Sequence, residues 1–255
     1  MYKFTKRKGE ETMIRFLIIC ILLAGFLILG YPLLIMQNSL GKKDPVARGH
    51  ESTKIVRFMF GLFLKISGVK VTVKGQENIP TDQAVLYVGN HRSYFDILVG
   101  YTTTPGLVGF IAKKEMRKFP ILNRWMDNVN CLFLDRQDIK AGLKTILEGI
   151  ELVKSGVSMW IFPEGTRAKG KDEFDMLLFK EGSLKIAEKS GCPVIPVAMV
   201  RTADVFEKQI PRIKPTEVTV YYGKPIYIKE LEPEQRKRAG AYTRDVITEM
   251  LREIQ

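Results

Sequence analysis

The chain opens on a long run without charge. Phe16 to Met36 carries no charged residue and is dominated by Leu and Ile. As a helix it is long enough to cross the ~30 Å hydrocarbon core of a bilayer. Gly30 and Pro32 lie inside the run and predict a kink. A second apolar stretch, Ile55 to Ile66, is interrupted by Arg57 and Lys65. It is too short and too charged to span. It predicts an amphipathic helix in the membrane interface, apolar face down, with its basic residues at the headgroups. From about Val69 the period changes. Val69, Val71 and Val73 alternate with Lys70, Thr72 and Lys74, the mark of a half-exposed strand. Short apolar runs at 84–88, 107–112, 131–134, 158–162 and 194–200 predict buried strands, and 218–222 adds another. Between them Ile139, Leu143, Ile146, Leu147, Ile150 and Val153 fall on one helical face. Pro233 can open a last helix, with Val246, Ile247, Met250, Leu251 and Ile254 as its apolar stripe. Strands alternating with helices predict an α/β domain with a largely parallel sheet flanked by helices. The expected division is an N-terminal anchor over 1–40, an amphipathic interfacial helix within 41–68, and an α/β domain over 69–255.

Charge sharpens this picture. The 255 residues include 40 Lys and Arg against 28 Asp and Glu, a net charge of +12. Such an excess favours an anionic partner: phospholipid headgroups, a phosphate-bearing substrate or nucleic acid. The apolar anchor serves nucleic acid poorly, so anionic membrane lipids are the expected partner. Lys3, Lys6, Arg7, Lys8 and Arg15 precede the anchor; Lys42, Lys43, Arg48, Lys54 and Arg57 follow it. The two flanks are equally basic, so charge sets no direction across the membrane. A two-helix anchor with both flanks on the cytosolic side is the preferred expectation, and a single span is its rival. Cys20, Cys131 and Cys192 form no metal spacing and no disulfide framework, which suits a reducing compartment.

The chemistry concentrates at strand ends, where ligands collect in α/β sheets. His91 follows one apolar strand, in Asn90-His91-Arg92-Ser93-Tyr94-Phe95-Asp96. A carboxylate five positions on can orient the imidazole as a base, provided the chain bends between strand and helix. The same residues also fit a histidine beside a helix-capping Ser93. Phe162-Pro163-Glu164-Gly165-Thr166-Arg167 follows another strand, and its guanidinium suits a phosphate; an ordinary turn with a solvated arginine fits as well. Leu134-Asp135-Arg136 ends a third strand, as a second clamp or a surface ion pair. Lys180, in Phe179-Lys180-Glu181-Gly182, reads more as a solvated charge than as a phosphate contact. There is no nucleophile elbow, no phosphate-binding P-loop, no dinucleotide fingerprint and no metal spacing. No metal or cofactor is therefore expected. One base with several clamps suits direct transfer from a thioester to a hydroxyl, because a thiolate of pKa ~8.5 leaves without strong acid help.

Together these segments resemble the glycerophospholipid acyltransferase family, most closely its bacterial 1-acyl-glycerol-3-phosphate acyltransferases. Asn90, His91, Ser93 and Asp96 meet its N-H-x-S-x-x-D block. Phe133 to Arg136 meet the second block, with Asn130 where that block usually has glycine. Phe162 to Arg167 complete the third and Val194 to Ala198 the fourth. Ala112-Lys113-Lys114-Glu115 and Pro120 look like its connecting segment. The resemblance implies His91 as general base with Asp96 orienting it, Arg136 and Arg167 on the acceptor phosphate, and Glu164, Gly165 and Thr166 shaping that site. It implies lysophosphatidic acid as acceptor, and acyl-CoA or acyl-carrier protein as donor, at a cell membrane with the catalytic domain on the cytoplasmic side. Asn130 puts the turn ahead of Arg136 in question.

Overall fold

The structure is a computed structural model that describes residues 2–255, with side chains from Glu10 onward. The side chains of Lys3, Lys6, Arg7 and Lys8 lie outside that description. In chain order the elements are α1 (Tyr2–Leu29), α2 (Tyr31–Lys43), α3 (Pro45–Ser67), β1 (Lys70–Lys74), β2 (Leu86–Gly89), α4 (Phe95–Thr103), β3 (Val108–Lys113), α5 (Pro120–Asn128), β4 (Leu132–Leu134), α6 (Ile139–Lys154), β5 (Ser158–Ile161), α7 (Lys185–Ser190), β6 (Val194–Val200), β7 (Glu217–Tyr222), α8 (Pro233–Lys237) and α9 (Ala239–Ile254). The sheet order is β1-β7-β6-β2-β5-β3-β4. β6 and β7 run antiparallel and every other pair is parallel. The C-terminal ends of β2, β3, β4, β5 and β6 therefore share one edge, and the segments after β2, β4 and β5 are those that carry the expected chemistry.

Both sheet faces are buried, and side chains alternate between them. Tyr87, Trp160, Ile195, Val197 and Met199 face one core, which α2, α3, α4 and α5 cover. Leu86, Val88, Met159, Ile161, Val194 and Ala198 face the other, with α6, α7 and α9. Trp160 is fully buried, stacked on Tyr87 and Phe110. Truncating it to alanine would cost about 3–5 kcal/mol.

The N-terminal helices are more closely joined to this domain than their composition suggests. Gly30 and Pro32 break the apolar run into α1 and α2, as expected of them. α2 crosses the division expected at residue 40, and its Leu34 is fully buried in the core shared with the sheet. α1 touches the domain between Thr12 and Phe26. Ile213 N–H donates to the Thr12 carbonyl at 3.0 Å, Phe16 stacks on Phe206 at 5.7 Å, and Phe26 meets Trp125 at 5.0 Å. Outward from these contacts, Leu17, Ile21, Ile28 and Leu29 are exposed. Asp44 caps α3 by accepting from Ala47 N–H at 2.9 Å, Pro45 opens it, and Gly68 closes it in the left-handed region. One face of α3 buries Val56, Phe63 and Leu64. Arg57, expected at the headgroups, points inward instead. Its guanidinium donates to the carbonyls of Tyr101, Thr104 and Gly106 at the end of α4. Those carbonyls lack helical partners, and a cation there also meets the negative end of the helix dipole.

Two further local readings change. The apolar face of α6 is wider than what it buries: Ile150 and Val153 are covered, while Ile139, Leu143 and Leu147 are exposed. α6 packs over β4, the edge strand, so its outer half has no sheet beneath it. The last helix begins as two pieces, α8 and α9, separated at Arg238.

Candidate active site

The turn between β2 and α4 builds the first half of the site. The five-residue spacing works because Asn90 to Tyr94 form a bend, with Asp96 in the first turn of α4. Asp96 is fully buried and folds back over that turn. Its Oδ2 accepts from the backbone N–H of Arg92 and of Ser93, each at 2.8 Å, and lies 2.8 Å from His91 Nδ1. An ionised carboxylate only accepts, so Nδ1 is the protonated nitrogen and Nε2 carries the free lone pair. The His91 ring stacks on Phe162, centroids 4.1 Å apart, which fixes its plane. Its side chain keeps 15% exposure, enough to meet a substrate. Ser93 leads into α4, whose N-cap position is Tyr94, through a serine turn: its Oγ accepts from Phe95 N–H at 2.9 Å. The two readings of this segment are compatible.

The turn after β5 locks onto that bend. Glu164 Oε1 accepts from His91 N–H at 2.7 Å, and Oε2 accepts from Leu177 N–H at 2.8 Å. Burial pushes the Glu164 carboxyl above the ordinary value, against the pull of those two N–H donors. Ala168 N–H donates to the His91 carbonyl at 2.7 Å. Asn90 ties the same bend to β6 by exchanging two hydrogen bonds with the Met199 backbone. Arg92, which sequence reasoning passed over, is buried and donates to the carbonyls of Gly170 and Asp172, pinning the loop after Arg167.

The cations divide into two kinds. Arg167 is spoken for: its Nη1 bonds Glu207 Oε1 at 2.9 Å, and its guanidinium lies 3.9 Å over the Tyr94 ring. Glu207 also accepts from Ser93 Oγ at 2.6 Å and Tyr94 N–H at 2.8 Å. No motif flagged Glu207, which sits far along the chain in a short 3-10 turn, Glu207–Gln209. Arg136 is different. Asp135 pairs with Lys114 at 2.9 Å, so its neighbour in sequence is left alone. Among the described residues no carboxylate lies within ion-pair distance of Arg136. Partial burial lowers its pKa, and only Glu115 acts against that. The turn ahead of it is intact: Asn130 takes φ +58°, a left-handed conformation that asparagine tolerates better than most residues. At Gly165, φ is +75°, and a Cβ there would lie 3.4 Å from the Arg136 guanidinium carbon. The left-handed turn is what calls for glycine, since the flexible arginine end could give way to a Cβ. Thr166 Oγ1 is 3.5 Å from Lys113 Nζ. The structure thus gathers all seven expected residues at the edge where β2, β4 and β5 end. Among the described residues no cluster of His, Cys, Asp and Glu could hold a metal.

Comparison with known proteins identifies the family. The sequence profile of the family described as Acyltransferase matches residues 70–200, half of the chain. The chain belongs to the acyltransferase family. A 1-acyl-sn-glycerol-3-phosphate acyltransferase of Borreliella burgdorferi is 29% identical over 200 residues, covering 78% of this chain and 79% of that protein. A probable 1-acyl-sn-glycerol-3-phosphate acyltransferase of Mycoplasma pneumoniae is 31% identical, covering 68% of each. The crystal structure of the 1-acyl-sn-glycerophosphate acyltransferase of Thermotoga maritima superposes with a TM-score of 0.75 at 28% identity. That likeness covers 98% of this acyltransferase and 97% of that chain. It includes the N-terminal helices, which the family profile leaves out.

Proposed function

We propose that this acyltransferase moves a fatty acyl chain from a thioester to the sn-2 hydroxyl of 1-acyl-glycerol-3-phosphate, giving phosphatidic acid. The observation that carries the reading is His91 Nε2, aimed by Asp96 on Nδ1, on the same sheet edge as an arginine that has no counter-ion among the described residues. The named relatives support the acceptor. His91 Nε2 takes the hydroxyl proton as the oxygen attacks the thioester carbonyl. The tetrahedral oxyanion collapses, the C–S bond breaks, and the imidazolium returns its proton to the departing thiolate. Asp96 stabilises the imidazolium without taking its proton. Arg136 meets the acceptor phosphate as the cation in need of an anion, and Arg167 joins through the N–H groups that Glu207 leaves free. Glu164 fixes the His91 backbone, while Gly165 and Thr166 line the approach.

The donor is acyl-CoA or acyl-carrier protein, and the enzyme works on a cell membrane from the cytoplasmic side, with α1 and α2 as its anchor. Glu10–Leu29 is long and apolar enough to cross a bilayer, but its contacts from Thr12 to Phe26 favour a helix lying along the domain. Both flanks then stay on one side. The decisive assay supplies purified protein in detergent with each donor and with lysophosphatidic acid, glycerol 3-phosphate or another lysolipid. Thiol release with lysophosphatidic acid, accompanied by phosphatidic acid, is the expected result. Faster release with another acceptor, or none with any, would overturn the reading.

A further inference from the structure

Lys180 was left over by the sequence motifs, and its surroundings give it a task. Its backbone is fixed on both sides. Lys180 N–H donates to the Pro163 carbonyl at 3.2 Å, and its own carbonyl accepts from Ser183 N–H at 2.9 Å. The next residue fastens the segment to α9: the Glu181 carboxylate accepts from Gly240 N–H at 2.7 Å and Ala241 N–H at 3.1 Å. With the segment so held, the Lys180 side chain reaches over the turn after β5. A Cβ on Gly165 would lie 3.3 Å from Lys180 Nζ and 3.4 Å from Arg136 Nη1. An ammonium and a guanidinium therefore flank one bare glycine. Among the described residues neither has a carboxylate within ion-pair distance, since Glu181 faces the start of α9. Lys113, at Thr166, brings a third cation to the neighbouring residue. Like charges brought together repel unless an anion sits between them. The missing Cβ leaves the space for one.

We infer that Lys180 is a ligand of the acceptor's phosphate, placed beside Arg136 to share a dianion over Gly165, and that it sets the preference for phosphorylated acceptors. The inference rests on the acceptor reading above. Arg136 offers a planar fork and Lys180 a point charge, so together they can meet different oxygens of one tetrahedral group. Glu181 gives the adjacent position a separate duty, since its hold on α9 aims the lysine.

The test measures transfer to lysophosphatidic acid and to monoacylglycerol by wild type, Lys180→Gln and Lys180→Arg. Loss of one charge-assisted hydrogen bond should raise the KM for lysophosphatidic acid about 10-fold in Lys180→Gln. Transfer to monoacylglycerol should fall far less, so the preference ratio narrows. Lys180→Arg keeps the charge and should recover most of the ratio. A merely structural role would weaken both acceptors together. An unchanged ratio in a folded Lys180→Gln variant overturns the inference. Amine labelling of wild type, read by mass spectrometry, tests it without any variant. Lysophosphatidic acid should slow modification of Lys180 and leave Lys189, on α7, unaffected; equal rates at both would overturn it. A wild type that prefers monoacylglycerol would instead refute the acceptor reading itself, which keeps the two failures apart.

Discussion

The two halves of the site are built in opposite ways. Around His91 the backbone bend is held from several sides: Asp96 Oδ2 takes three donors, Glu164 takes two, and Asn90 ties the bend to β6. Around Gly165, Arg136 and Lys180 are exposed to solvent and have no protein counter-ion among the described residues. On the proposed reading, the difference follows from what each half must do. A base has to be aimed before substrate arrives, and reorganising it during reaction would cost rate. A phosphate clamp can wait for its ligand, because the ligand supplies the missing charge. Arg167 stands between the two kinds, half committed to Glu207 and Tyr94.

The sharpest way to break this contrast is at the base. His91→Ala should lower kcat by about 10²–10⁴ with the fold retained, since a general base typically contributes that much. Asp96→Asn should be comparably severe, because an amide in place of Oδ2 faces three N–H donors and can invert the tautomer. Circular dichroism and single-turnover kinetics check both. A folded His91→Ala variant with near wild-type turnover would show that the aimed half is not the catalytic one.

The next effect separates the two arginines. Arg136→Ala should raise the acceptor KM by about 10-fold or more, with a smaller change in kcat. Arg167→Ala should lower kcat as well as affinity, because it leaves Glu207, which holds Ser93 and Tyr94 beside His91, without its cation. Glu207→Gln should reproduce the kcat part of the Arg167→Ala defect and little of the KM part. Steady-state kinetics on the three variants decide the matter. Identical KM and kcat patterns for Arg136→Ala and Arg167→Ala would erase the distinction drawn here.

The two halves were not equally legible in the sequence. The aimed half uses residues close in sequence, Asn90 to Asp96 and Phe162 to Arg167, so spacing and strand ends were enough to predict that they would come together. The waiting half depends on which charges find partners, and those partners come from elsewhere. Nothing near Arg167 announces Glu207, and nothing near Arg136 says that Lys114 will take Asp135. Lys180, read as a solvated charge, is indeed exposed, and what its own segment does not announce is its place beside Arg136 over Gly165. The anchor shows the converse limit. Composition identified the apolar run and its break, yet Leu34 packing in the core and Arg57 capping α4 are tertiary events that hydropathy does not encode. Asn130 was a question only because the local pattern favoured glycine; its left-handed backbone answers it.

The smallest effect concerns what the paired half costs to hold. Glu164 links the His91 and Leu177 backbones, and burial is the main cause of its raised pKa. The sign follows from proton counting. Between the unfolded pKa near 4.5 and the higher folded value, the native state binds more protons than the unfolded one. Stability from this group therefore falls as pH rises through that window, and the burial cost of the charge is fully present above it. Glu164→Gln carries no charge but loses one of the two hydrogen bonds, because its amide nitrogen must face an N–H donor. The variant should be less stable at every pH, by about 1–3 kcal/mol at the acid end. Its deficit should shrink as pH rises from 4 toward 7, since only the wild type acquires the buried charge. Urea midpoints for both proteins across that range measure the difference directly and cancel the other titrating groups. A deficit that grows with pH would mean that the two backbone donors outweigh burial. Glu164 would then stabilise the His91 bend most when ionised, and the aimed half would hold itself together by charge rather than in spite of it.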